Sequence, residues 1–309
     1  MTHQHPTTRS GKELLPLLER PDELTALHDL NLDGCGLETL PEHIGRIASL
    51  RTLSVYNNAL TQLPETVWQL DQLLTLNLGA NRFASVPEAI GRLARLQMLD
   101  LGHNHLSALP ESLGRLTGLT FLYASNNRLS TLPEGLRGAT TLRYLNATDN
   151  QLTALPDWIG DLRSLQELRV YHNQLVSLPE SLGRLTALRE LHAMNNSLTA
   201  LPDAIGDLSA LRTLDLQGNS LTLLPASIGK LSNLTALNLR DNRLSSLPDG
   251  CAHWESLRFL DLRANQLTTI PVGLAGLQQL EKLDLRWNRL AELPAWIGRL
   301  TERGCIVYT

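Results

Sequence analysis

Few residues in this chain could do chemistry. Asp149 and His172 stand 23 residues apart, and Ser125 lies 24 residues before Asp149. Together they offer the residue types of a nucleophile, a base and an orienting carboxylate. There are three cysteines, Cys35, Cys251 and Cys305, too scattered for a disulfide framework or a zinc site. His103 and His105 flank Asn104 with no third metal ligand apparent, and His3 and His5 lie near the N-terminus. The glycines fall at turn positions and form no phosphate-cradling loop.

What these residues can do depends on the elements that carry them. From Leu27 to Glu302 the chain divides into twelve consecutive repeats of 23 residues without an insertion or deletion. The ninth, LRTLDLQGNSLTLLPASIGKLSN from Leu211 to Asn233, shows the pattern. Counting slots from its first leucine, slots 1 and 4 are leucine and slot 15 is proline in all twelve. Slot 9 is asparagine in eleven, with Cys35 in the first. Slots 3 to 5 alternate outward and inward, the period of a strand, so each repeat opens with a short strand. Stacked in parallel, neighbouring strands lie about 4.8 Å apart. The slot 9 asparagines are expected to pair backbone groups of their own and the adjacent repeat. The proline opens a short helical turn over slots 16 to 22. One repeat cannot bury its apolar face alone, so stability comes from stacking.

This frame removes the enzyme-like set. Ser125 lies two repeats from His172, roughly 10 Å by strand spacing, whereas a triad needs contact at about 3 Å. Cys35 takes the slot 9 ladder position and Cys251 the slot 18 core position. No catalytic, cofactor-binding or metal-binding residue is assigned.

The repeated LxxLPxxIGxL segments have the leucine-rich repeat signature, and the chain resembles the intracellular Ras-suppressor-like leucine-rich repeat proteins, which occur in eukaryotic scaffolds and in bacteria. The resemblance covers residues 27 to 302. It implies an α/β fold, a right-handed β-α superhelix with a curved parallel sheet on the concave face and short helical turns on the convex face. It further implies binding of other proteins on the concave face, and it transfers no catalytic residue. Around the repeats the expected organisation is a disordered tail at 1–9, a helical cap at 10–26 with Ser10 and Glu13 spaced as a capping box, and a terminal strand at 303–309. In that strand Ile306 and Tyr308 are expected in slots 4 and 6.

Composition agrees with a binding module. The 309 residues are 42% apolar but 4% aromatic, so the core is aliphatic, and a net charge of −4 gives no footprint for nucleic acid. The N-terminus lacks an apolar signal segment, and no apolar run approaches membrane-spanning length. A monomer in the cytoplasm is expected, with export to a host cell by a specialised secretion system as the variant open to a bacterial protein. Arginine outnumbers lysine 24 to 3, which fits a GC-rich bacterial genome.

The strand face is written by slots 2, 3, 5, 7 and 8. Its aromatics concentrate in repeats five to seven. The expected partner-binding patch is Phe121, Tyr123, Tyr144, Arg169, Tyr171, His172, His192 and Met194, types enriched at interfaces. Beneath it, slot 6 shrinks to Ala124, Ala147, Val170 and Ala193. Towards the C-terminus Arg240, Arg263 and Arg286 are expected to pair with slot 5 carboxylates. The expected function is a non-enzymatic interaction module binding a protein partner, as adaptor, inhibitor or secreted effector. The alternative is the substrate-recognition subunit of a ubiquitin-ligase or kinase complex whose catalytic part is another chain.

Overall fold

A computed structural model describes residues 8–12, 16 and 26–309. The chain forms two compact units, Met1–Asn150 and Gln151–Thr309. In the first, parallel strands follow in chain order: β1 (Thr8–Ser10), β2 (Asp29–Asn31), β3 (Thr52–Ser54), β4 (Thr75–Asn77), β5 (Met98–Asp100), β6 (Phe121–Tyr123) and β7 (Tyr144–Asn146). The second carries β8 (Glu167–Arg169), β9 (Glu190–His192), β10 (Thr213–Asp215), β11 (Ala236–Asn238), β12 (Phe259–Asp261), β13 (Lys282–Asp284) and β14 (Ile306–Tyr308), also parallel. From β2 to β13 every strand is the expected slots 3 to 5. Each unit is a leucine-rich repeat solenoid, with strands on one face and short helical turns on the other.

Side chains alternate along the strands, so each slot 4 leucine points inward and is at most 1% exposed. Register is leucine against leucine, as in Leu99 opposite Leu122 and Leu214 opposite Leu237. Slots 1, 6, 11, 14, 18 and 21 complete an aliphatic core, and the four small slot 6 residues are fully buried within it.

The asparagine ladder forms as expected. Asn127 Nδ2 donates to Leu101 O (2.9 Å), Ala124 O (3.3 Å) and Ser125 O (3.1 Å), while its Oδ1 accepts Leu106 N–H (2.9 Å). Asn104 and Asn242 make the same four bonds in their own repeats. The amide side chain thus satisfies backbone groups that the turn leaves buried, each of which would cost about 1–3 kcal/mol unpaired.

On the opposite face eleven of the turns are five-residue 3-10 helices, such as Glu111–Arg115, opened by a proline in extended conformation. Five residues are too few for a stable α-helix and suit the tighter i→i+3 pattern. Acidic residues at the start of one turn cap the next: Glu88 accepts the N–H groups of Glu111 (3.1 Å) and Ser112 (2.8 Å). Hydrogen bonds from Ser112 accordingly hold the Glu88 carboxyl below its usual value.

Two differences from expectation lie at the ends. Thr8 and Arg9, expected in an unstructured tail, and Ser10, expected to cap a helix, all belong to β1, which pairs with β2 and so covers its backbone edge. Residues 1–7, and most of the expected 10–26 cap, lie outside the described residues. At the other end the register slips by one. Ile306 pairs with Lys282 and Tyr308 with Asp284, so they hold slots 3 and 5, not 4 and 6. The last turn is an α-helix, α1 (Ile297–Glu302), which rises less per residue than a 3-10 turn, and Gly304 follows at φ 92°. The path to the strand therefore takes one more residue. Ile306 and Tyr308 end up exposed.

Candidate functional site

Two structural demands shape the strand face before any function does. Slot 8 adopts positive φ wherever it occurs, from Gly34 (63°) through Asp149 (52°) and His172 (51°) to Trp287 (60°). Asp149 and His172 are therefore turn residues, one in each unit. The second demand falls on slot 5, which is Asn or Asp in eight repeats. There the side-chain oxygen accepts the slot 7 N–H, as Asn77 does from Gly79 (3.0 Å), Asp100 from Gly102 (2.8 Å) and Asn146 from Thr148 (3.1 Å). This local turn locks the chain as it leaves the strand. In the second repeat, where slot 5 is Ser54, Asp33 of the preceding repeat accepts the Tyr56 N–H instead (2.8 Å).

Tyr123, Arg169 and His192 break the slot 5 pattern, because none presents a carboxamide or carboxylate oxygen. Tyr123 joins an aromatic group on the first unit. Its ring centroid lies 4.9 Å from that of Tyr144, and Phe121 lies 6.4 Å from Tyr144, both tilted by about 40°. These are favourable edge-tilted contacts, and Phe121 remains 41% exposed.

On the second unit Arg169 binds Glu167 (2.5 Å), and His192 Nε2 lies 3.0 Å from Glu190 Oε2. Tyr171 packs edge-on against His172 at 5.1 Å, and Met194 is half-buried beside them in slot 7. Sequence reasoning missed Glu167 and Glu190. They are register partners, and like charges directly opposite each other destabilise a sheet. The available signal was that each is followed two residues later by a base. Glu167, Glu190 and His192 place three donor atoms within 4.8 Å of one another, a spacing a divalent ion could bridge. The Arg169 guanidinium already neutralises Glu167 there.

Further along, the expected charge ladder is partly present. Arg263 Nε binds Asp261 (2.9 Å) and reaches Asp284 (3.4 Å), and Arg286 binds Asp284 (2.7 Å). Burial would push the Asp284 carboxyl up, but hydrogen bonds from Arg286 and the charges of Arg286 and Arg263 hold it below its usual value. Arg240 departs from expectation. Its own slot 5 residue is Asn238, and its Nε instead lies 3.0 Å from Asp241.

Asp100 sits half-buried in slot 5. Burial pushes its carboxyl above the usual value, against the pull of the Gly102 N–H and His103. A carboxyl raised on folding contributes stability below its unfolded value and loses it as pH rises through the folded value. Asp100→Asn keeps the acceptor for Gly102 and removes the charge. It should be more stable than wild type at neutral pH, and the gain should vanish below pH 3.8, where both states are protonated. Urea midpoints at the two pH values check this.

All three cysteines are buried. Cys251 is fully buried, and burial with nearby Asp249 pushes its thiol up to about 11. Burial also raises Cys305. Such thiols are poor nucleophiles. Among the described residues no helix is long and apolar enough to cross a membrane.

Comparison with known proteins agrees with this architecture. The leucine rich repeat family model matches residues 75–129, 140–198 and 232–290, more than half of the chain, and a leucine-rich repeat region model matches 181–257. No curated protein matches. Among solved structures, a leucine-rich repeat protein of Leptospira interrogans is 32% identical over 93% of this chain and 79% of its own, with a TM-score of 0.78. A TDR receptor is 29% identical over 91% of this chain, TM-score 0.81. The plant peptide hormone receptor RGFR1, solved in complex with RGF2, is 28% identical over 90%, TM-score 0.70. The chain spans 50% and 54% of those two receptor structures. With the repeat pattern, the asparagine ladder and these matches in agreement, the chain belongs to the leucine-rich repeat family.

Proposed function

We propose that this chain, of the Ras-suppressor-like type, is a non-enzymatic module that binds a protein partner on its strand face. Phe121, Tyr123 and Tyr144 serve on the first unit, and Arg169, Tyr171, His172, His192 and Met194 on the second. The observation that carries this reading is the slot 5 exchange. Where most repeats keep an Asn or Asp that fastens its own turn, Tyr123, Arg169 and His192 give up that bond for large side chains facing solvent. Local stability is thereby traded for surface chemistry, and the types gained are those that dominate binding hot spots. Strands hold these side chains in fixed relation within each unit, so little ordering entropy is lost on binding.

The test is a captured partner titrated against variants. Tyr123→Ala and Tyr144→Ala should each weaken binding by about 2 kcal/mol or more, with melting unchanged because both rings point away from the core. Arg240→Ala should do less. Wild-type affinity in the double tyrosine variant would exclude this surface.

A further inference from the structure

Along slot 3 of the second unit the side chains run Glu190, Thr213, Ala236, Phe259 and Lys282, paired in register. Ala236 is the smallest, and the row drops there into a hollow of about 240 Å³. Leu214, Leu237 and Leu260 form its floor, Thr213 and Phe259 flank it, and Asp215 and Asp261 stand along one edge. The volume falls below the roughly 300–1,000 Å³ of small-molecule sites and suits a single side chain.

Charge decides which side chain. Asp261 and Asp284 are each bound by an arginine. Asp215 accepts the Gln217 N–H (3.2 Å), the Asn238 amide donates to Gln217 Oε1 (3.2 Å), and among the described residues no Lys or Arg lies within ion-pair distance of Asp215, whose register partner is His192. The cations nearby are engaged elsewhere. Lys282 lines the far end of the hollow with its Nζ over the Tyr308 ring (5.4 Å), Arg240 meets Asp241, and Arg263 bridges Asp261 and Asp284. A half-buried carboxylate with no lysine or arginine against it is an electrostatic deficit that a partner can fill. Burial pushes the Asp215 carboxyl up, as that deficit requires. The other wall is aromatic. Phe259 is 43% exposed, and the Arg258 guanidinium over its ring at 5.4 Å is tied to Glu281 and does not line the hollow.

We propose that this hollow seats an arginine side chain of the protein partner. Its guanidinium would fork onto the Asp215 carboxylate while its plane rests against Phe259, and its methylenes would cover Ala236. Arginine fits better than lysine because the planar fork matches a carboxylate bidentately and stacks on a ring. The proposal rests on the reading that the strand face binds protein, but its test needs no partner.

The test titrates N-acetyl-arginine methylamide, with the uncharged isostere N-acetyl-citrulline methylamide alongside, into the full chain. The Ala236 methyl and Asn238 side-chain amide resonances report binding. Saturable shifts are expected with the arginine probe, with citrulline at least about tenfold weaker. Asp215→Asn should lower arginine affinity by about tenfold, and Ala236→Leu, which fills the hollow from an outward-facing slot, should abolish it. Ser197→Ala, on an exposed side chain that does not line the hollow, should leave arginine affinity unchanged. Equal binding of the two probes, unchanged affinity in Asp215→Asn, or no saturable shift at Ala236 would overturn the assignment.

Discussion

Gly114→Ala is expected to destabilise the protein by about 3 kcal/mol or more, the upper end of overpacking effects. A Cβ built on Gly114 falls 1.8 Å from the Gly135 carbonyl oxygen, and one on Gly135 falls 1.9 Å from the Glu111 carbonyl oxygen. Both obstacles are backbone, so no side-chain rotation relieves the overlap. The turns Glu111–Arg115 and Glu134–Gly138 would have to separate, lifting Leu113 and Leu136 out of full burial and breaking the bond from the Gly135 N–H to the Glu111 carboxylate. Gly118→Ala is the control. Its nearest neighbour is 3.5 Å away, and its φ is not positive. Reduced freedom of the unfolded chain can even make that change favourable. Equal denaturation midpoints for the two variants would show that the turns do not pack backbone to backbone.

Asn127→Ala is expected to cost about 3 kcal/mol or more. It strips three carbonyls of a donor and leaves the Leu106 N–H without its acceptor, at about 1–3 kcal/mol for each group left unsatisfied in a buried setting. Asn127→Asp should be no better, since it keeps the acceptor but turns a negative oxygen towards those carbonyls. Ser197→Ala, on an exposed side chain in slot 10, should stay within about 0.5 kcal/mol of wild type. Chemical denaturation of the three variants in parallel decides the matter; similar losses for Asn127→Ala and Ser197→Ala would contradict the ladder.

The repeats, the strands and the ladder were legible because they depend on slots that hold one residue type throughout. Leucine at slot 4 and asparagine at slot 9 each have one physical solution. The left-handed turn at slot 8 was hidden by its varied occupants, His103, Ala80 and Trp287 among them, although Gly34 and Gly218 marked it. Slot 5 was read as surface lettering, and its structural role emerges only from the contact to the slot 7 N–H. That contact separates Asn146, a turn residue, from Tyr123, Arg169 and His192. Arg240 was misplaced because its pairing depends on which neighbour carries a carboxylate, and Asn238 does not. The slip at Ile306 was unreadable because the last repeat keeps every signature residue while its turn winds as α1. The aromatic group was found from residue types and strand spacing. Glu167 and Glu190 were passed over because acidic residues on a strand look like ordinary solvated charge.

The ladder bonds reach back 21 or 26 positions, into the repeat next door and no further. A gene duplication that inserts one whole period therefore gives the newcomer a complete set of neighbours and leaves every older contact intact. An insertion of a single residue behaves differently, as Ile306 shows: displaced by one place, a side chain meant for the interior is turned out to solvent. Such a chain can lengthen or shorten in steps of one period while being closed to smaller changes, so its reach over a partner can change without refashioning its interior.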